Sequence, residues 1–247
     1  WIGDLTRRRR LITFDIGGTS ADIGIIVDGV FAETDARSTS IAGFPLLMPM
    51  LDIHTIGAGG GSIAWIDAGG LLKVGPQSAG AYPGPAAYGR GGTKATVTDA
   101  NVLLGKIQPR HFPAVFGPQA NQTLDEATVR LKFDQLRSEV MARRGAAPDD
   151  QTGLTVEKLA EGFVSIAVQQ MANAIKKISV ARGYDVTRYT LQCFGGAGGQ
   201  HACLVADALG MNQVLVHPLA GVLSAYGMAL ADQGLIKERA VEVRFEP

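Results

Sequence analysis

Three glycine clusters in the sequence each adjoin residues that handle charge. The first is Asp15-Ile16-Gly17-Gly18-Thr19-Ser20-Ala21-Asp22. Glycine leaves backbone N–H groups open to an anion and turns the chain tightly. Thr19 and Ser20 add hydroxyl donors. A carboxylate beside a phosphate needs a cation between them, so Asp15 and Asp22 suit Mg²⁺, held directly or through water. They are candidate catalytic residues, with Gly17, Gly18, Thr19 and Ser20 as candidate phosphate contacts. An ordinary Gly-Gly hairpin with Asp as a turn residue uses the same letters. The second cluster runs from Gly57 to Ser62 and includes Gly59, Gly60 and Gly61. Its density exceeds a simple turn and fits either a ligand loop or a place where two chain segments pack closely. The third is Gly195-Gly196-Ala197-Gly198-Gly199, ahead of Gln200-His201. A glycine loop opening a helix is a natural anion or nucleotide site, with Gly195, Gly196, Gly198 and Gly199 as its contacts. It lacks the Gly-Lys-Ser/Thr ending of a P-loop and the last glycine of a dinucleotide fingerprint.

Histidine is scarce: His54, His111, His201 and His217. His201 sits where a helix should start, placed to touch nucleotide, to act as a general acid or base, or to anchor the loop. Asp52 and His54 alternate along an extended run and so face one way. With Asp99 they form a candidate O/N site for Mn²⁺ or Zn²⁺ as well as Mg²⁺. The plainer alternative makes His54 a structural hydrogen-bonder and Asp99 a helix cap. His111 and His217 lie near prolines and receive no role.

These residues need a scaffold. The 247 residues are 46% hydrophobic and 19% charged, a balance that suits a packed core. Lys+Arg and Asp+Glu are equal at 23, so no global field favours nucleic acid or an anionic membrane. Two cysteines, Cys193 and Cys203, make neither a disulfide framework nor a zinc site and read as buried thiols in a reducing, cytoplasmic setting. The chain opens on Trp1 and reads as a piece of a longer polypeptide.

Leu11 to Phe14, Ile23 to Val27 and Val30 to Ala32 form a three-stranded antiparallel meander, with Asp28-Gly29 as a hairpin turn. A short strand covers Asp52 to Ile56, and Ile63 to Val74 forms a second hairpin. Thr98 or Asp99 caps a helix over Ala100 to Leu104. Longer helices cover Leu124 to Arg143 and Thr155 to Arg182, the latter ended by Gly183. Tyr189 to Phe194 is a strand, then come a helix over 200–209, a strand over Val214 to Val216, a helix over Gly221 to Asp232 and a strand over Ala240 to Phe245. Strands followed by alternating helices and strands predict an α/β fold with a mixed sheet.

Five segments in order carry a resemblance. Residues 14–24 read FDIGGTSADIG, 52–67 DIHTIGAGGGSIAWID, 75–92 GPQSAGAYPGPAAYGRGG, 96–107 TVTDANVLLGKI and 194–202 FGGAGGQHA. Together they resemble the hydantoinase A / 5-oxoprolinase family, which is similar to the actin-like ATPases. The resemblance implies a ribonuclease-H-like lobe spanning 1–247, with Asp15 to Asp22 as one phosphate hairpin and Gly195 to Gly199 as the adenosine segment. It implies a second hairpin in an N-terminal lobe absent from this chain. It implies ATP and Mg²⁺ as cofactors, a small-molecule substrate and a hydantoinase B-type partner. The implied reaction is ATP-driven opening of a cyclic amide through phosphorylation of its oxygen. The same loops serve an ATP-dependent ketone carboxylase subunit or a non-catalytic nucleotide-binding assembly domain.

Overall fold

The computed structural model describes residues 1–34, 40–41, 43–45, 50–143 and 153–231. The strands that position the glycine clusters are β1 (Leu11–Ile16), β2 (Ala21–Val27), β3 (Val30–Phe31), β4 (Ile53–Ile56), β5 (Ser62–Ile66), β6 (Leu72–Ser78), β7 (Thr190–Phe194) and β8 (Val214–Val216). The helices are α1 (Ile2–Leu5), α2 (Val97–Leu103), α3 (Glu126–Arg143), α4 (Val156–Ile178), α5 (Ala202–Leu209) and α6 (Leu223–Leu230).

The central sheet has the order β8-β7-β1-β2-β3, with β4 also paired to β2. β1, β2 and β3 form the expected antiparallel meander, while β7 and β8 run parallel to β1 and to each other. Asp28 and Gly29 carry φ of +51° and +86°, the paired left-handed conformations of a two-residue hairpin turn. An antiparallel meander flanked by two parallel strands is the mixed sheet that the resemblance implies. Strand alternation decides which side chains meet the core. Ile12, Phe14, Ile16 and Ile23 are fully buried. α4 covers that face with an apolar stripe that includes Leu159, Phe163, Met171 and Ile175. Truncating a buried ring such as Phe163 to alanine costs about 3–5 kcal/mol. Asp15 and Asp22 alternate out of that core and point to the other side of the sheet, toward α6.

Several boundaries differ from expectation. α2 begins at Val97 and is capped by Thr96, and Asp99 closes a capping box from its third position. Neither Thr98 nor Asp99 is therefore the cap, because the Thr96 hydroxyl already accepts the Asp99 N–H. α4 stops at Ile178 and a separate single turn spans Val180–Arg182 before Gly183 at φ +82°. A short turn over Gly198–Gln200 precedes α5. The expected strand over Ala240 to Phe245 lies outside the described residues. Cys193 is buried but Cys203 is exposed, against the expectation of two buried thiols. Among the described residues no helix is long and apolar enough to cross a membrane.

Candidate functional site

All three glycine clusters meet at one end of the sheet. β1 and β7 are parallel neighbours, with Asp15 in register with Phe194, so the turns that leave them emerge side by side. The Ala197 N–H donates to the Ile16 carbonyl at 2.9 Å and ties the turns together. Gly195 adopts φ +83°, and a Cβ there would overlap Asp15 Oδ1 and the Ile16 carbonyl. Only glycine permits this approach.

Within the first turn, the Gly17 N–H donates to the Ser20 carbonyl at 3.0 Å. Gly18 and Thr19 are exposed, and their N–H groups meet no acceptor among the described residues. The same holds for Gly196 and Gly199 in the third cluster. Four unspent N–H donors thus face solvent in two adjacent turns, the arrangement an anion requires. Thr19 Oγ1 lies 3.3 Å from Ser78 Oγ, while Ser20 Oγ has no partner among the described residues.

The second cluster spends its N–H groups inside the protein. The Gly60 N–H donates to the Gly17 carbonyl at 3.1 Å, the Gly61 N–H to the Gly18 carbonyl at 2.6 Å, and the Gly59 N–H to Ser62 Oγ at 2.9 Å. No N–H of these three remains for a phosphate. A Cβ at Gly59 would fall 2.7 Å from the Gly17 carbonyl oxygen, and one at Gly61 2.8 Å from that of Gly18. Gly59, Gly60 and Gly61 are a platform pressed against the first turn, the close-packing alternative that the sequence left open.

Asp15 and Asp22 stand opposite each other in the β1–β2 ladder and are both half-buried. Ser224 Oγ donates to Asp15 Oδ2 at 2.6 Å, and Thr55 Oγ1 donates to Asp22 Oδ1 at 2.5 Å. Each carboxylate keeps its other oxygen clear of protein donors among the described residues. Two hard oxygens at the strand end fit Mg²⁺.

The expected Asp52, His54 and Asp99 group is not assembled. Among the described residues no three His, Cys, Asp or Glu side chains converge as a metal site. Asp52 is ion-paired with Arg182. His54 opposes Ile23 in register and so shares the α4 side of the sheet. Burial lowers its pKa, and Lys177 and Arg182 lower it further against the pull of Asp52. Asp99 is fully buried, and its carboxylate accepts from the Ala86, Ala87 and Thr96 N–H groups and from the Thr96 hydroxyl. Cations beside one candidate and a full set of donors on another do not make a ligand set for Mn²⁺ or Zn²⁺ among the described residues.

His201 lies directly behind the third cluster and is fully buried. Burial lowers its pKa to about 4, helped by Lys106. The imidazole is neutral at pH 7 and closed off from solvent. Sequence reasoning misses Ser224, Thr55 and Asn101, which orient Asp15, Asp22 and Gln200. Ser224 lies 209 positions from the carboxylate that it meets, so no local pattern marks it.

With this geometry in view, similarity to known proteins becomes informative. The hydantoinase/oxoprolinase family model matches residues 2–237. The chain is 44% identical over 228 residues to 5-oxoprolinase 1 of Arabidopsis thaliana, covering 92% of this chain and 18% of that protein. Nucleotide-free acetone carboxylase superposes with a TM-score of 0.77 at 26% identity, over 94% of this chain and 30% of that one. ATP-dependent caprolactamase from Pseudomonas jessenii superposes with a TM-score of 0.72 at 34% identity, over 94% and 31%. The chain spans less than a third of each of these relatives. Sequence match, sheet order and the meeting of the glycine turns agree, and the chain belongs to the hydantoinase/oxoprolinase family.

Proposed function

We propose that this chain is the nucleotide-binding lobe of an ATP-dependent enzyme that opens a cyclic amide such as a hydantoin or 5-oxoproline. The observation that carries the reading is the set of exposed N–H groups at Gly18, Thr19, Gly196 and Gly199, without acceptors among the described residues, in adjacent turns beside Asp15 and Asp22. The relatives' names, 5-oxoprolinase and ATP-dependent caprolactamase, support the same chemistry. Gly18 and Thr19 bind phosphate oxygens through their N–H groups, and Ser20 adds a hydroxyl. Gly196 and Gly199 line the nucleotide's other end. Asp15 and Asp22 hold Mg²⁺, which when bound neutralises phosphate charge. Ser224 and Thr55 fix the two carboxylates so that little reorganisation accompanies binding.

A neutral amide resists water because its nitrogen lone pair is delocalised onto oxygen. Transfer of the γ-phosphoryl group of ATP to that oxygen releases ADP and makes the carbonyl carbon electrophilic; water adds there, the ring C–N bond breaks as the nitrogen takes up a proton, and a second water hydrolyses the resulting acyl phosphate to carboxylate and inorganic phosphate. The lobe's share of this work is positioning and charge neutralisation. The facing nucleotide lobe and a hydantoinase B-type partner complete the site. Dependence on ATP fits a cytoplasmic reaction.

Similarity to acetone carboxylase keeps a second reading, an ATP-dependent ketone carboxylase subunit. The test is ATP turnover by the complete natural protein with its partner subunit. It is run with 5-oxoproline, with hydantoins, and with acetone plus bicarbonate. Stimulation by a lactam alone supports ring opening. Bicarbonate-dependent stimulation by the ketone supports the carboxylase. Nucleotide binding without turnover under any condition supports an assembly domain, and absence of nucleotide binding ends all three readings.

A further inference from the structure

α2 contacts both the platform under the first turn and the segment that follows the third cluster. Thr98 donates its N–H to the Gly60 carbonyl at 2.7 Å, and Gly60 in turn donates to Gly17. Asp99 accepts from Ala86 and Ala87. Two positions on, Asn101 Nδ2 donates to Gln200 Oε1 at 2.8 Å and lies 3.5 Å from His201 Nε2. Asn101 and His201 are both fully buried. One seven-residue helix thus holds the platform beneath the phosphate turn at one point and the end of the Gly198–Gln200 turn at another.

The buried cluster has an unusual hydrogen-bond count. With Nδ2 facing Nε2, the imidazole accepts at Nε2 and carries its proton on Nδ1. His201 Nδ1 and Asn101 Oδ1 then remain as a donor and an acceptor without partners among the described residues. Buried polar atoms in that condition cost stability, so stability alone does not account for the cluster. A general base would need access to the reacting groups. His201 has none.

We infer that Asn101, Gln200 and His201 form a positioning cluster that sets the Gly198–Gln200 turn at the height needed for the nucleotide. His201 is then a positioning residue and not an acid–base group. The inference rests on the nucleotide reading above for its purpose, while its structural content stands on the contacts alone. Asn101 reaches the turn by two contacts from a helix anchored at Thr96, Thr98 and Asp99. Loss of those contacts frees the turn while leaving the α4 core in place.

The experiment uses the complete natural protein and two variants, Asn101→Leu and His201→Gln. Leucine matches asparagine in shape without its polar atoms, and glutamine can still accept from Asn101. Hydrogen–deuterium exchange on a peptide covering 194–203 reads the turn directly. ATP turnover reads its consequence. We expect Asn101→Leu to raise exchange locally at least tenfold and to raise the KM for ATP about tenfold, with kcat falling less than KM rises. We expect His201→Gln to show the same pattern in weaker form, with the acid limb of the pH–kcat profile where it was. Exchange over 194–203 that stays at the parent rate in Asn101→Leu overturns the proposal. So does loss of kcat in His201→Gln at constant KM, which makes His201 the acid–base group. If the parent binds no nucleotide, the proposed function fails, and the exchange arm still decides whether Asn101 sets the turn.

Discussion

Asp15 and Asp22 are direct cross-strand partners, two carboxylates of like charge held side by side at the end of the β1–β2 ladder. Like charges in that position repel, at a cost of about 0.2–1 kcal/mol relative to a neutral pair. The hydroxyls of Ser224 and Thr55 hold the pair in place but bring no positive charge. Asp15→Asn and Asp22→Asn should therefore stabilise the nucleotide-free protein slightly, by up to about 1 kcal/mol in urea unfolding. The same variants should lower ATP turnover at least a hundredfold and raise the Mg²⁺ concentration for half-maximal rate. Asparagine still accepts from the hydroxyls, so the change isolates charge. Variants that turn over ATP normally, or that unfold more easily than the parent, would refute the carboxylate-pair assignment.

Gly195 must be glycine for a reason that lies outside its own turn. At φ +83°, with Asp15 and Ile16 in the space a Cβ would occupy, alanine forces β1 and β7 apart at the site. Gly195→Ala should cost about 2–3 kcal/mol through strain and overpacking and should weaken ATP binding more than tenfold. Gly221 has open space, with nothing within 4 Å, where a Cβ would sit, and its φ is unstrained, so Gly221→Ala is the matched control. Equal melting temperatures for the two variants would contradict the close approach.

The meander, the turn at Asp28-Gly29 and the apolar stripe of α4 were readable because each depends on neighbours in sequence. The glycine clusters were equally plain as loops. Their division of labour was not. Gly59, Gly60 and Gly61 look like a phosphate cradle until the carbonyls of Gly17 and Gly18 are found occupying the Gly60 and Gly61 N–H groups across some forty residues of chain. Asp52 and His54 share a short segment, yet strand register and Arg182, brought in by the end of α4, remove them from any metal role. Local pattern fixes an element's type, whereas a site depends on which backbone donors are already spent elsewhere.

Asp99 makes that point in a form that can be measured. Burial pushes its carboxyl above the ordinary range, while the Ala87, Thr96 and Ala86 donors draw it back. Asp99→Asn replaces one accepting oxygen by an NH₂ that faces those donors. The expected loss is about 2–3 kcal/mol of stability, the size of a buried donor left unpaired. With both oxygens of Asp99 taken by these donors, elemental analysis of the purified variant should give the same zinc and manganese content as the parent. A selective loss of bound transition metal would restore the ligand reading.

His201 ties the stability of the protein to pH with a definite sign. In the unfolded chain its imidazole takes a proton as pH falls through 6.5, whereas in the folded protein burial and Lys106 hold it neutral down to about 4. Between those values the unfolded state binds more protons, so acid favours unfolding. This contribution is fully present above pH 6.5 and lost progressively toward pH 4. The interval of about 2.5 pH units corresponds to a loss of up to about 3 kcal/mol. Urea unfolding at pH 7, 6, 5 and 4.5 should show the decline in the parent, and His201→Gln should flatten it over this range while titrations elsewhere continue to contribute. Parallel pH slopes in the two proteins would mean that His201 takes up its proton in the folded state as readily as in the unfolded chain, and the linkage would have to be abandoned.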